Sequence, residues 1–176
     1  MSCVPFRLLL IGCLGACGES DLAAGGGGAN EGAGGSSLPS SLSIELGAGR
    51  TEFVELPSEG ATLELVSGPQ GGWHLEITLR MTSYDGELVT LDYRASDVGG
   101  TALGYPAEYP VDADNLVLAA DGRYERVGDR VVLNIAGPDE VKDSDVLVEC
   151  RVWRGGTQLA ETSRVVRVLD EVDELQ

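Results

Sequence analysis

From Leu38 onward, apolar and polar residues alternate through most of the chain, and the period is two. In "SLSIEL" the apolar positions are Leu42, Ile44 and Leu46. "TEFVEL" and "ATLELV" follow, separated by Pro57-Ser58-Glu59-Gly60, a proline-to-glycine pattern that fits a turn. "WHLEITLRM" is the most regular run: Trp73, Leu75, Ile77, Leu79 and Met81 fall on one face, and His74, Glu76, Thr78, Arg80 and Thr82 on the other. Successive side chains of a strand point to opposite faces, so each run predicts a strand with one face toward a core. Further strands are expected at "LVTLDYRA", "NLVLA", "RVVLNI", "VLVECRVW" and "TSRVVRVL". No window carries a helical stripe. Short strands with a turn signal about every ten residues predict an all-β sandwich or barrel.

The connection between the fourth and fifth strands narrows the choice. Asp85-Gly86 is a hairpin signal. A simple hairpin there sets Met81 opposite Thr90 and Leu79 opposite Asp92, so an apolar face meets a polar one. A one-residue slip exchanges the two faces of a strand, so that register is penalised. Either a bulge intervenes or the two strands belong to different sheets. The second arrangement, with the late "DSDVLVECRVWRGGTQLAETSRVVRV" read as strand, Gly-Gly hairpin and strand, resembles immunoglobulin and fibronectin type III domains over most of residues 61–170. The resemblance implies an immunoglobulin-like β-sandwich of about seven to nine strands. The chain departs from it in lacking a second cysteine for an inter-sheet disulfide.

Before this body come two segments of different character. "MSCVPFRLLLIGCLGACGES" has one Arg7, an apolar run from Leu8 to Leu14, and small residues after it. That is the layout of a secretory signal, and the run is too short to span a bilayer. Leu14-Gly15-Ala16-Cys17 resembles the lipobox of bacterial lipoproteins, with Leu10-Ile11-Gly12-Cys13 as a rival box. The resemblance implies cleavage before Cys17, a diacylated thiol and an anchored mature chain. Two or more acyl chains hold stably where one does not. The expected organisation is a signal peptide at 1–16, a lipidated Gly/Ala/Ser-rich linker at 17–37 and one β-sandwich domain at 38–176. A flexible linker of that composition reaches about 25 Å. The expected location is the bacterial cell envelope, held to the membrane through the lipid.

Charge then excludes partners. The chain has 12 basic and 29 acidic residues; removing 1–16 takes away Arg7 alone and leaves a net charge of −18. Nucleic acid is excluded as a partner, because binding it depends on Lys and Arg neutralising phosphates. A protein or a glycan is the expected partner. Calcium is the alternative, since "PDEVKDSD" groups Asp139, Glu140, Asp143 and Asp145 in one loop. "VDADN" begins like a calcium loop at Asp112 and Asp114, but Leu116 takes the next ligand position. "GTALGYPAEYP" reads as part of a binding edge.

Catalytic chemistry finds little support. The chain has one histidine, His74, and no G-x-S-x-G, so an enzyme is not expected, nor a cofactor or a transition-metal site. With Cys17 acylated, Cys150 is the one cysteine left in the body, and its alternation with Val146, Val148 and Val152 predicts a buried thiol. The remaining candidate is Gly68-Pro69-Gln70-Gly71-Gly72-Trp73-His74. Its glycines and proline fit a rigid inter-strand corner, with Trp73 capping the end of the core. The other reading is a ligand-facing loop, in which Gln70 and His74 offer polar contacts and Trp73 a flat face. "GPQGGWH" also resembles a motif of uncharacterised bacterial lipoproteins, which implies no activity.

Overall fold

The period-two segments become strands in the structure, a computed structural model that describes residues 41–68 and 71–170. The expected leader (1–16), Cys17 with its linker (17–37), and Gln70 lie outside the described residues. Ten strands are formed among the described residues: β1 (Ser43–Ala48), β2 (Val54–Glu55), β3 (Thr62–Ser67), β4 (Trp73–Thr82), β5 (Val89–Asp97), β6 (Ala107–Val111), β7 (Val117–Leu118), β8 (Tyr124–Leu133), β9 (Asp145–Arg154) and β10 (Thr157–Leu169). The helical content of the described residues is two short 3-10 turns, Ala113–Asn115 and Pro138–Glu140. The fold is all-β.

Hydrogen bonds join all ten strands into one sheet. β4 pairs along one edge with β8, and along the other with β3 at its start and β1 at its end. β5 pairs with β6 and β9, and β9 with β10. The two groups meet through a short parallel contact, Thr62–Glu64 of β3 against Arg167–Leu169 of β10. The sheet curls on itself, because Tyr93 of β5 donates a hydrogen bond to Asp129 of β8 although five pairings separate these strands along the path. Inward side chains from both groups form one core that includes Leu65, Leu75, Ile77, Leu79, Leu91, Val131, Val148 and Val166.

β4 and β5 do not pair with each other among the described residues, which resolves the register conflict at Asp85-Gly86. The connection turns away from a two-residue hairpin. Ser83 takes φ 61°, Tyr84 is buried, and Tyr84 Oη donates to the Glu87 carbonyl at 2.5 Å. The Gly155-Gly156 hairpin forms as expected between β9 and β10. Both residues have positive φ (55° and 81°), which the two central positions of this turn require.

Three segments differ from the sequence-based expectation. "TEFVEL" supplies only the two residues of β2, with Phe53 and Leu56 buried and Val54 exposed, so its alternation is broken. "NLVLA" shrinks to Val117–Leu118. β6 forms within "GTALGYPAEYP", where Pro110 is tolerated because β6 ends the sheet path.

β8 starts six residues before "RVVLNI", because a bulge interrupts its alternation. Ile77 of β4 opposes Asp129 and Leu79 opposes Arg126, so Val127 and Gly128 share one partner, Thr78. Gly128 sits at φ 74°. The extra residue turns Asp129, Val131 and Leu133 toward the core on the same face as Arg126. Asp129 is buried there, accepting from Tyr93 Oη at 3.0 Å and from Arg126 Nε at 2.9 Å. Arg126 also donates to the Asn115 carbonyl at 3.0 Å. A buried carboxylate persists only when paired and hydrogen-bonded, and this one is both. Cys150 lies against Tyr93, fully buried, and burial pushes its thiol pKa far up.

The polar face of β4 is also covered. Thr78 is fully buried and donates to the Ala48 carbonyl at 2.9 Å. The Arg80 guanidinium lies 3.8 Å from the centre of the Phe53 ring and bonds Glu125. Residues 49–53, which follow β1, thus lie over this face as a strap, and Arg50 Nε bonds Glu76 Oε2. Gly47 makes room for the strap: a Cβ there would come within 2.5 Å of the Phe53 ring.

Candidate functional site

The glycine-rich corner joins β3 to β4. Gly68 N donates to the Gly72 carbonyl at 2.9 Å, and Gly71 N to the Gly68 carbonyl at 3.0 Å. Gly71 and Gly72 have φ of 77° and 100°, a region that side chains rarely adopt. The turn geometry expected of this stretch is therefore present.

Strand alternation then sends the next two side chains opposite ways. Trp73, opposite Leu133, packs against the core; His74, opposite Val132 and Val66, lies on the outer face. The two do not form one binding face with their rings. What the corner does create is a hollow of about 360 Å³, bounded by Gly68, Gly71, Gly72, Trp73, His74, Arg130 and Val132.

Its polar groups have an unusual balance. The His74 side chain is only 8% exposed, and its Nε2 has no hydrogen-bond partner. The nearest carboxylate oxygen, Glu76 Oε1, is 3.9 Å away, beyond hydrogen-bond reach. Burial, and next the positive charge of Arg130, hold the imidazole below its ordinary pKa, with Glu76 acting in the opposite sense. His74 is therefore neutral near pH 7.

Arg130 stands directly opposite Glu76 across the β4–β8 ladder, yet Glu76 bonds Arg50 instead. Among the described residues, Arg130 and Arg164 are the two cations without a carboxylate partner. The backbone beneath Arg130 is fixed, since its carbonyl accepts from Tyr109 Oη at 3.0 Å. Arg130 and Val132 were not singled out in the sequence reading. The signal was present in "RVVLNI", where Val132 falls on the outward face and is 46% exposed.

The acidic loops are arranged for local work. Glu140 Oε1 accepts from Ala136 N at 2.7 Å, and Asp145 faces Arg167 at 3.4 Å. Asp112 Oδ1 accepts from Asp114 N, and Asn115 Oδ1 from Asp112 N, which closes the Ala113–Asn115 turn. Asp85 pairs with Arg154, whose hydrogen bond is the main cause of its pKa of about 2. No group of three or more His, Cys, Asp or Glu side chains suited to a metal ion occurs among the described residues.

No protein-family model matches the chain, and no curated protein matches it with significance.

Proposed function

We propose that this chain is an exported lipoprotein, anchored in the bacterial cell envelope through acylated Cys17, whose body is an immunoglobulin-like β-sandwich that binds a protein or glycan. The sandwich reading is supported by the separation of β4 from β5 into two pairing groups, by the β9–β10 hairpin, and by one core shared between the groups. The anchor is supported by the Leu14-Gly15-Ala16-Cys17 motif and the glycine-rich stretch after it. The observation that carries the binding role is the hollow beside the glycine corner, where an arginine without a carboxylate partner among the described residues and a nearly buried imidazole border one concavity between paired strands. Binding sites are concave, with a few placed polar groups.

Filling the hollow tests this. Val132→Glu places a carboxylate on its exposed wall without touching the core. Wild type and variant are compared for binding to envelope extracts and to a panel of immobilised glycans. Loss of binding at an unchanged unfolding midpoint is expected. Equal binding by both proteins would remove the hollow from the function.

A further inference from the structure

We propose that the hollow recognises a carboxylate-bearing sugar, with Arg130 holding the carboxylate and the His74 ring forming part of the wall beside it. This deepens the binding-module reading and rests on it. Three observations lead here. The first is the free guanidinium. In a chain with 29 acidic and 12 basic residues, cations are expected to find carboxylates, and nine of the eleven in the described body do. Arg130 has Glu76 as its direct cross-strand neighbour and still does not bond it, because Arg50 of the strap holds that carboxylate. Arg130 is thus left with its planar donor fork available, a geometry that suits a carboxylate.

The second is His74, a nearly buried ring at the wall of the hollow, whose Nε2 has no hydrogen-bond partner among the described residues. That atom has no accessible surface and lies toward Glu76, so the imidazole contributes to the hollow through its other edge. The imidazole's Nδ1 edge faces Gly68. The third is the wall. The glycine corner presents backbone without side chains, since a Cβ on Gly71 or Gly72 would meet nothing within 4 Å, and Val132 is half exposed beside it. A hollow of about 360 Å³ with an apolar wall and one cationic end suits a single ring carrying one acid group. The chain's net charge repels polyanions, so the ligand carries its carboxylate singly, as a uronic acid residue in an otherwise neutral glycan does.

The probe is sodium glucuronate, with glucose as the ring without the acid and acetate as the acid without the ring. The readout is the imidazole C–H resonances in proton NMR, unambiguous because the chain has one histidine. Glucuronate is expected to shift them saturably. Glucose and acetate should each bind at least about tenfold more weakly, the scale of one charge-assisted hydrogen bond. Arg130→Gln should abolish the shift. Arg164→Gln, which removes the other unpaired cation, should leave it intact. Among the described residues the Arg130 side chain makes no hydrogen bond, so its variant is expected to keep the wild-type unfolding midpoint. Were it to misfold, the comparison of the three probes on wild type still decides. Equal binding of glucose and glucuronate, acetate matching glucuronate, no shift with glucuronate, or full binding by a folded Arg130→Gln protein would each overturn the proposal. If the Val132→Glu protein loses its partner while Arg130→Gln keeps it, the binding module stands and the carboxylate does not.

Discussion

At the scale of single residues, the strongest constraint is the trio of buried Tyr93, buried Asp129 and half-buried Arg126. Asp129 is 3% exposed and accepts a hydrogen bond from each of its two partners. Without Asp129 the buried Tyr93 hydroxyl loses its acceptor, while Arg126, 27% exposed, can turn to solvent; an unsatisfied buried donor costs about 1–3 kcal/mol. Asp129→Ala should therefore lower stability by about 1–3 kcal/mol in urea unfolding. Tyr93→Phe, which removes one neutral donor, should cost about 1–2 kcal/mol. If both were neutral, the trio would have no part in holding the strands together. His74 gives a second test. Its pKa is depressed in the folded state, so between that value and the ordinary one the unfolded chain binds more protons than the folded one. Stability must then fall as the pH is lowered through about 6.5. An NMR titration should place the His74 pKa below about 6.5, and His74→Gln should flatten that part of the stability profile. A pKa above the ordinary value would mean that Glu76 outweighs burial and Arg130.

At the scale of elements, glycine decides where strands bend and where they approach each other. Gly128 at φ 74° lets β8 insert its extra residue and turn Asp129 inward. Alanine there is strained by about 1–2 kcal/mol and should lower the unfolding midpoint. Gly47→Ala acts by crowding, since its Cβ would lie 2.7 Å from both Thr78 Oγ1 and the Val54 carbonyl. Overpacking of this kind costs about 1–3 kcal/mol. A midpoint unchanged in either variant would show that the bulge or the strap relaxes freely. These two glycines also mark where the sequence could be read and where it could not. The runs at β4, β5 and β9 alternate without interruption, so their strands and inner faces were legible; β10 was legible as a strand although its register shifts between Gln158 and Ala160. In β8 the alternation changes phase at Val127-Gly128, and a period-two reading finds only the half after the bulge. The outer face of β4 is polar in the sequence, which gives no sign of a cover; Phe53 and Arg50, more than twenty residues away, lie over it. The hollow was half legible. Its glycines announce a corner, but Arg130 arrives from β8, and only the pairing of β4 with β8 sets it beside His74.

At the scale of the whole molecule, one all-β body carries its charge in local pairs and leaves few cations free. The account makes that body a module held at a membrane by its first mature residue. Without the anchor, a chain of net charge −18 has no attraction to an anionic bilayer. Cys17→Ser should therefore release the protein from membranes while the unfolding curve of the body stays as it was. The most direct measurement is the intact mass of the protein recovered from the membrane fraction of the expressing bacterium. The account predicts a chain that begins at Cys17 and carries the added mass of acyl groups on that residue. A chain that retains residues 1–16, or one that begins at Cys17 with an unmodified thiol, would contradict it.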